Sequence, residues 1–338
     1  MPWPDRAEAC AWFGGRLATG LVDVTSDPAA LDGSGWWAVV LGFEGEVRCA
    51  RFADVREEAL PSAPWPGIPL AGWTSSMSRA DYVGGVQRIR EGVAAGDYYQ
   101  VNLCRVLSAP LPEAADLRGL TGLLAVGNPA PYAGLVSLPA YDLEVVTASP
   151  ELFLRRDAAV VESGPIKGTA TRADLLTDKD RAENVMIVDL VRNDLGVVAV
   201  TGSVDVPALC AVEEHPGLVH LVSTVRATLR PEAGWPDLLD ASFPPGSVTG
   251  APKSSALAAI ADLEPAPRGP YCGAVGWVDA DARTARLAVG IRTFWARGGM
   301  LHLGTGAGIT WGSDPDGEWD ETELKARRLL AVAAQEVA

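Results

Sequence analysis

The apolar positions of this chain change period several times, and each change marks an element. Trp37-Ala38-Val39-Val40-Leu41-Gly42-Phe43, then Glu44-Gly45, then Glu46-Val47-Arg48-Cys49-Ala50 predicts a β-hairpin: two runs of strand formers around an acid–glycine turn. Ser78 with Asp81 three residues on is a helix-start signature. Tyr82, Val83, Val86, Ile89 and Val93 then recur at three-to-four spacing until Gly96-Asp97 stops the helix. Over 98–107 the period falls to two, with Tyr99, Val101 and Leu103 on one face and Gln100, Asn102 and Cys104 on the other. That polar face is either a pocket wall or the solvated side of an amphipathic strand. A short helix over 117–125 precedes strands near 132–138, 143–148 and 152–155. Thr177 or Asp178 can cap the next helix, whose buried side is Val185, Ile187, Val188, Leu190 and Val191 and which Asn193 to Gly196 ends. Residues 218–229, 271–278, 287–295 and 300–303 read as further strands, and Gly304-Thr305-Gly306-Ala307-Gly308 as a glycine-rich bend. A last helix starts near Asp316 to Glu318.

Strand follows strand on short links, without regular β-α-β alternation. That order favours an α+β or sandwich-like core over a doubly wound parallel sheet. Pro61, Pro64, Pro66 and Pro69 mark a connection, dividing a short strand-rich part, 1–75, from a body, 76–338.

Composition narrows the function classes. The 338 residues, 48% hydrophobic, can bury a large core. A net charge of -15 with no basic block argues against a nucleic-acid partner, and a small anionic substrate would need a local cationic or metal site. Cys10, Cys49, Cys104, Cys210 and Cys272 form no C-x-x-C pair and read as buried thiols in a reducing compartment. The first residues lack a basic and an apolar signal region, and no apolar run reaches the roughly 18–20 residues of a membrane span. The expectation is a cytoplasmic protein with no membrane partner.

The chemistry concentrates in 151–194. Glu151 precedes Gly164-Pro165-Ile166-Lys167-Gly168-Thr169, a Pro/Gly turn around a lysine. Asp180 and Glu183 follow at helical spacing. They are either dipole partners, worth well under about 1 kcal/mol, or half of a cation site. Glu318, Glu321 and Lys325 share a face of the last helix. A surface ion pair is the simple reading; acids from two helices boxing a hard divalent cation, for which oxygen ligands suit Mg²⁺, is the other. His220 among apolar neighbours reads as a core histidine. Gly246-Ser247-Val248-Thr249-Gly250-Ala251-Pro252-Lys253 lacks the spacing of a phosphate loop. The glycines of 304–308 form a tight turn or offer backbone N–H groups to a carboxylate.

In order and wording these motifs resemble the chorismate-utilising enzymes. Tyr99-Gln100-Val101-Asn102-Leu103, Ser149-Pro150-Glu151, Pro165-Ile166-Lys167-Gly168-Thr169, His220-Leu221-Val222-Ser223-Thr224, 246–253, Tyr271-Cys272-Gly273, Ile291-Arg292-Thr293, Gly306-Ala307-Gly308 and Glu321-Thr322 all take part. The likeness runs from about residue 78 onward and implies a large antiparallel β-sandwich core flanked by helices. Water-adding members place a lysine where this chain has Gln100, and anthranilate-forming members an alanine where it has Lys167, so the resemblance points to the branch that aminates chorismate at C4. It implies Mg²⁺ held by Glu183 and Glu321, backed by Asp180 and Glu318, on the ring carboxylate. Arg292, Tyr271 and the Gly306-Ala307-Gly308 segment would hold the enolpyruvyl carboxylate, with Lys325 also on the substrate. Lys167 would attack C2, Glu151 would protonate the leaving hydroxyl, and His220 and Thr249 would line the pocket near it. No glutaminase motif is found, so ammonia is expected from a separate glutamine amidotransferase subunit. Val197 and Pro245 depart from the family's usual arginine and glycine.

Overall fold

The computed structural model describes residues 4–61, 63–170, 172–215 and 218–336. In chain order the strands are β1 Cys10–Phe13, β2 Arg16–Thr25, β3 Trp36–Leu41, β4 Val47–Glu57, β5 Thr74–Ser75, β6 Gln100–Pro110, β7 Tyr132–Leu138, β8 Leu143–Ser149 and β9 Leu152–Asp157. They continue with β10 Val160–Gly164, β11 Ile166–Ala170, β12 Asp205–His215, β13 Leu218–Thr228, β14 Gly250–Ala251, β15 Ala274–Asp279, β16 Thr284–Val289, β17 Thr293–Arg297 and β18 Met300–Ile309. The helices are α1 Arg79–Ala95, α2 Leu117–Gly127, α3 Asp178–Gly196, α4 Trp235–Ser242, α5 Lys253–Leu263 and α6 Pro315–Ala333.

Every strand pairing among the described residues is antiparallel, so the architecture is α+β, a large antiparallel sheet flanked by helices. The strands form one line of neighbours: β12, β13, β10, β9, β16, β15, β3, β4, β2, β1, β7, β8, β17, β18, β6. β11 lies also on β13, and β5 and β14 on β6. The N-terminal strands therefore fall in the middle of the line, with β3 on β15 and β1 on β7. β3, Trp-Trp-Ala-Val-Val-Leu, is buried along its whole length, as a strand paired on both edges inside the core must be. The main core gathers Trp36, Phe52, Tyr82, Ile89, Leu103 and Leu287; a second, with Leu120, Leu135, Phe294 and Leu329, lies where α2 covers β7 and β8 and α6 covers β18.

α1 begins at Ser78 with the predicted reciprocal cap to Asp81 and ends at Gly96, whose φ of 86° is left-handed. α3 is capped by Thr177. Its buried side is Asn184, Ile187, Val188, Val191, Asp194 and Leu195, whereas Val185 faces outward, correcting the predicted apolar stripe. Gln100, Asn102 and Cys104 are all buried, which settles the polar face of β6 as an inner wall. Residues 287–295 are two strands, broken at Gly290 to Arg292, where Arg292 takes a φ of 51°.

The largest correction concerns 304–308. These glycines are not a bend: β18 runs through them, paired with β6 from Met300↔Pro110 to Ile309↔Val101. They are glycine because the strand must be approached closely. A Cβ on Gly304 would fall inside the Tyr271 ring, and one on Gly306 would stand 2.6 Å from the Leu103 carbonyl. Gly304→Ala should therefore lower unfolding free energy by about 2 kcal/mol or more, read from urea denaturation; an unchanged midpoint would mean that Tyr271 can move aside without cost.

Candidate active site

The two ends of the strand line meet at one place. β11, at one end, carries Lys167; β6 and β18, at the other, carry Gln100 and Gly308. A Cβ on Gly308 would lie 2.6 Å from Gln100 Nε2 and 3.7 Å from Lys167 Nζ, so both side chains converge over that glycine. Lys167 lies in a strand, not the predicted turn. Pro165 separates β10 from β11, its carbonyl accepting the Ser223 N–H at 3.1 Å, and Gly168 (φ 83°) kinks the chain past Asp180.

Lys167 is half-buried and its Nζ donates to the Ser247 carbonyl at 3.0 Å. Burial lowers its pKa from the ordinary lysine value; Glu151, Glu183 and Glu321 oppose that, and Lys325 adds to it. Glu151 is 4% exposed. Its N–H donates to Ser149 Oγ at 3.2 Å, and its carbonyl accepts from Val289 N at 3.0 Å, fixing the corner after β8. Burial pushes its carboxyl up to about 7; the Ser247 hydroxyl, Lys167 and the Ile166 N–H pull the other way. A buried acid that holds its proton near neutrality thus acts electrostatically on an amine eased towards its neutral form, which suits proton donation and nucleophilic attack respectively.

The remaining predicted residues are placed as follows. His220 is buried in β13 opposite Thr169 of β11, two positions beyond Lys167. Thr249 is fully buried and its hydroxyl donates to the Pro245 carbonyl at 2.8 Å, closing its own loop. Tyr271 packs on Gly304 with its hydroxyl towards Cys104 Sγ, 4.0 Å away, and burial raises its pKa. Arg292 lies in the break between β16 and β17; burial, and then Arg328, lower its pKa. Gly306, Ala307 and Gly308 lie in β18 opposite Cys104, Leu103 and Asn102 of β6, and Lys325 Nζ reaches the Gly306 carbonyl at 3.0 Å.

The four acids do not form one cluster; among the described residues no three of His, Cys, Asp or Glu stand together in reach of a metal ion. Asp180 is engaged in capping α3, its carboxylate accepting from Thr177 N at 2.8 Å and Oγ1 at 2.7 Å. Glu183 pairs with Lys179 at 3.7 Å and Glu321 with Lys325 at 2.6 Å, each within its own helix. Glu318 is buried and its pKa is raised by burial, then lowered by a Ser313 hydrogen bond and raised by Glu321. The oxygen donors match a hard divalent cation in type, and Glu183 and Glu321 both act on Lys167 from opposite helices.

Two residues outside the predicted set belong here. Ser247 accepts from Lys167 Nζ through its carbonyl, and its hydroxyl favours the charged form of Glu151. Gln100 is fully buried, and neither its Nε2 nor its Oε1 has a partner among the described residues, an arrangement that suits a polar ligand. The period-two pattern signalled Gln100; Ser247 lies in the 246–253 motif, but nothing in the sequence singled it out there.

Residues 45–331 match the family described as chorismate binding enzyme. The chain is 41% identical over 307 residues to anthranilate synthase component 1 of Streptomyces coelicolor, covering 84% of this chain and 59% of that protein. It is 38% identical over 314 residues to aminodeoxychorismate synthase component 1 of Salmonella typhimurium, covering 87% and 68%. It thus spans about three-fifths to two-thirds of these relatives' lengths. Anthranilate synthase component I of Streptococcus pneumoniae superposes with a TM-score of 0.78 at 23% identity over 96% of this chain and 90% of that one. The menaquinone-specific isochorismate synthase of Escherichia coli superposes with a TM-score of 0.81 at 17% identity over 98% and 92%. No helix among the described residues is long and apolar enough to cross a membrane.

Proposed function

This chain belongs to the chorismate binding enzyme family, and on that premise we propose that it is component 1 of a cytoplasmic aminodeoxychorismate synthase, making 4-amino-4-deoxychorismate from chorismate and ammonia. The observation that carries the reading is the Lys167 amine, held on the Ser247 carbonyl over Gly308 and Gln100 and eased towards its neutral form by burial, with the buried carboxyl of Glu151 acting on it. Neutral Lys167 attacks ring C2; the two ring double bonds shift and the C4–O bond breaks, with Glu151 giving its proton so that water departs. Ammonia then adds at C4, the double bonds shift back, and the C2–N bond to Lys167 breaks, restoring the amine. The net exchange is ammonia in and water out. Arg292 offers a planar fork to the enolpyruvyl carboxylate, and the glycines of β18 leave room for the ring.

Glu183 and Glu321 would hold Mg²⁺ once released by Lys179 and Lys325, with Glu318 one turn before Glu321 on α6; bound there, it would supply positive charge for the ring carboxylate. A separate glutamine amidotransferase would supply ammonia, and a lyase would release p-aminobenzoate for folate. Purified chain given chorismate, Mg²⁺ and ammonium should yield aminodeoxychorismate, seen as p-aminobenzoate when the lyase is added. The 41% identical relative supports a second reading, anthranilate synthase component 1. Anthranilate fluorescence without lyase would establish that reading and overturn the first.

A further inference from the structure

The loop before α5 does more than close the pocket. Among the described residues Ser247, 5% exposed, bears on both reacting groups: its carbonyl accepts from Lys167 Nζ at 3.0 Å, and its hydroxyl favours the charged form of the Glu151 carboxyl. Its neighbour Val248 is gripped from behind, its carbonyl accepting from Arg268 Nη1 at 2.9 Å. Arg268 is 1% exposed and fully engaged. Nε and Nη2 fork onto Glu264 at 2.8 and 2.6 Å, Nη2 also reaches the Asn102 carbonyl at 2.7 Å, and the guanidinium lies 4.1 Å from the Phe43 ring centre.

Glu264 Oε1 accepts the Cys104 N–H at 2.8 Å. Along this edge β6 pairs with β14 at Gln100 and Val101, then with the Thr249 carbonyl at Asn102, and beyond that with the ion pair. The Glu264–Arg268 pair thus stands in for a missing strand and locks the Ser247 loop to the strand carrying Gln100. Since a paired ion couple so deeply buried is weak evidence for stability alone, its geometry is the informative part.

We propose that Ser247 is the positioning residue of this site, holding the Lys167 amine and the Glu151 carboxyl in one fixed arrangement, and that the buried Arg268–Glu264 pair fixes Ser247 in turn. This rests on the reading of Lys167 as nucleophile and Glu151 as acid, but its test does not need turnover. Trace acylation with acetic anhydride across pH, followed by peptide mass spectrometry, titrates Lys167 with exposed Lys179 as the internal reference. In Ser247→Ala, Glu151 loses the hydroxyl that favours its charged form, so it opposes deprotonation of Lys167 less. The Lys167 midpoint should fall by roughly half to one pH unit and return in Ser247→Thr. In Arg268→Lys, which cannot reproduce the fork, acylation of Lys167 should rise about threefold or more at fixed pH while that of Lys179 stays put.

An unchanged Lys167 midpoint in Ser247→Ala overturns the proposal, as does unchanged acylation in a folded Arg268→Lys. If Arg268→Lys does not fold, the Ser247 variants decide alone. Absence of turnover in the unmodified chain would overturn the functional reading and leave the labelling result standing.

Discussion

Lys167→Ala is expected to lose aminodeoxychorismate formation by on the order of 10³-fold or more, with chorismate affinity little changed. The nucleophile is needed because the C4 hydroxyl is a poor leaving group and ammonia cannot be poised against the ring as an attached amine can. Covalent attachment divides one difficult displacement into two easier ones. Alanine keeps the backbone of β11 and deletes only the amine and its stem, so the Ser247 carbonyl and the Glu151 carboxyl stay in place. Lys167→Arg should be as inactive, because a guanidinium cannot be deprotonated here and so offers no lone pair. Chorismate quenched on the unmodified chain should leave a mass adduct on the peptide holding Lys167, missing in both variants. A folded alanine variant that turns over at the parental rate would remove the covalent step.

Much of the fold was legible because short-range rules governed it. The cap at Ser78 and the left-handed glycine at Gly96 are local devices, and each formed as its residues required, whereas both faces of β6 are buried and Tyr99, predicted on its apolar face, lies exposed before the strand. Misreadings arose where a distant partner decides. Gly304, Gly306 and Gly308 look like a turn in isolation, yet they are strand because Tyr271, the Leu103 carbonyl and the Gln100 and Lys167 side chains press on them from elsewhere in the chain. β2 and β12 carry so many exposed positions that no period stood out. The same divide separates the site residues. Lys167, Glu151 and Gln100 carry chemistry in their side chains and sit in telling patterns. Ser247 acts partly through its backbone carbonyl, which any residue would have, and only the fold reveals what it touches. Asp180 illustrates the converse: a carboxylate whose helical spacing suggested a ligand is occupied by the cap of its own helix.

Glu151→Gln should cost roughly 10²–10⁴-fold in turnover, since glutamine fills the same volume but has no proton to give. Its pH dependence is the sharper test. The carboxyl titrates near 7, so one limb of the parental pH–rate profile should lie there and vanish in the variant, whichever limb the coupled pair assigns to it. Stability should change as well, with a definite sign. The folded pKa is raised above the ordinary 4.5, so the folded state binds more protons between those values, and Glu151's contribution falls as pH rises from 4.5 to 7. Above 7 the buried charge is a constant burden of about 3 kcal/mol, two and a half pH units at 1.36 kcal/mol each. Glutamine escapes it, so Glu151→Gln should be more stable relative to the parent at pH 8 than at pH 4, by urea denaturation at both. Lys167, losing the carboxylate that chiefly opposed its deprotonation, should acylate at lower pH in the same variant. A stability difference that does not change with pH would show that Glu151 is as well solvated folded as unfolded, and would remove it as the proton donor.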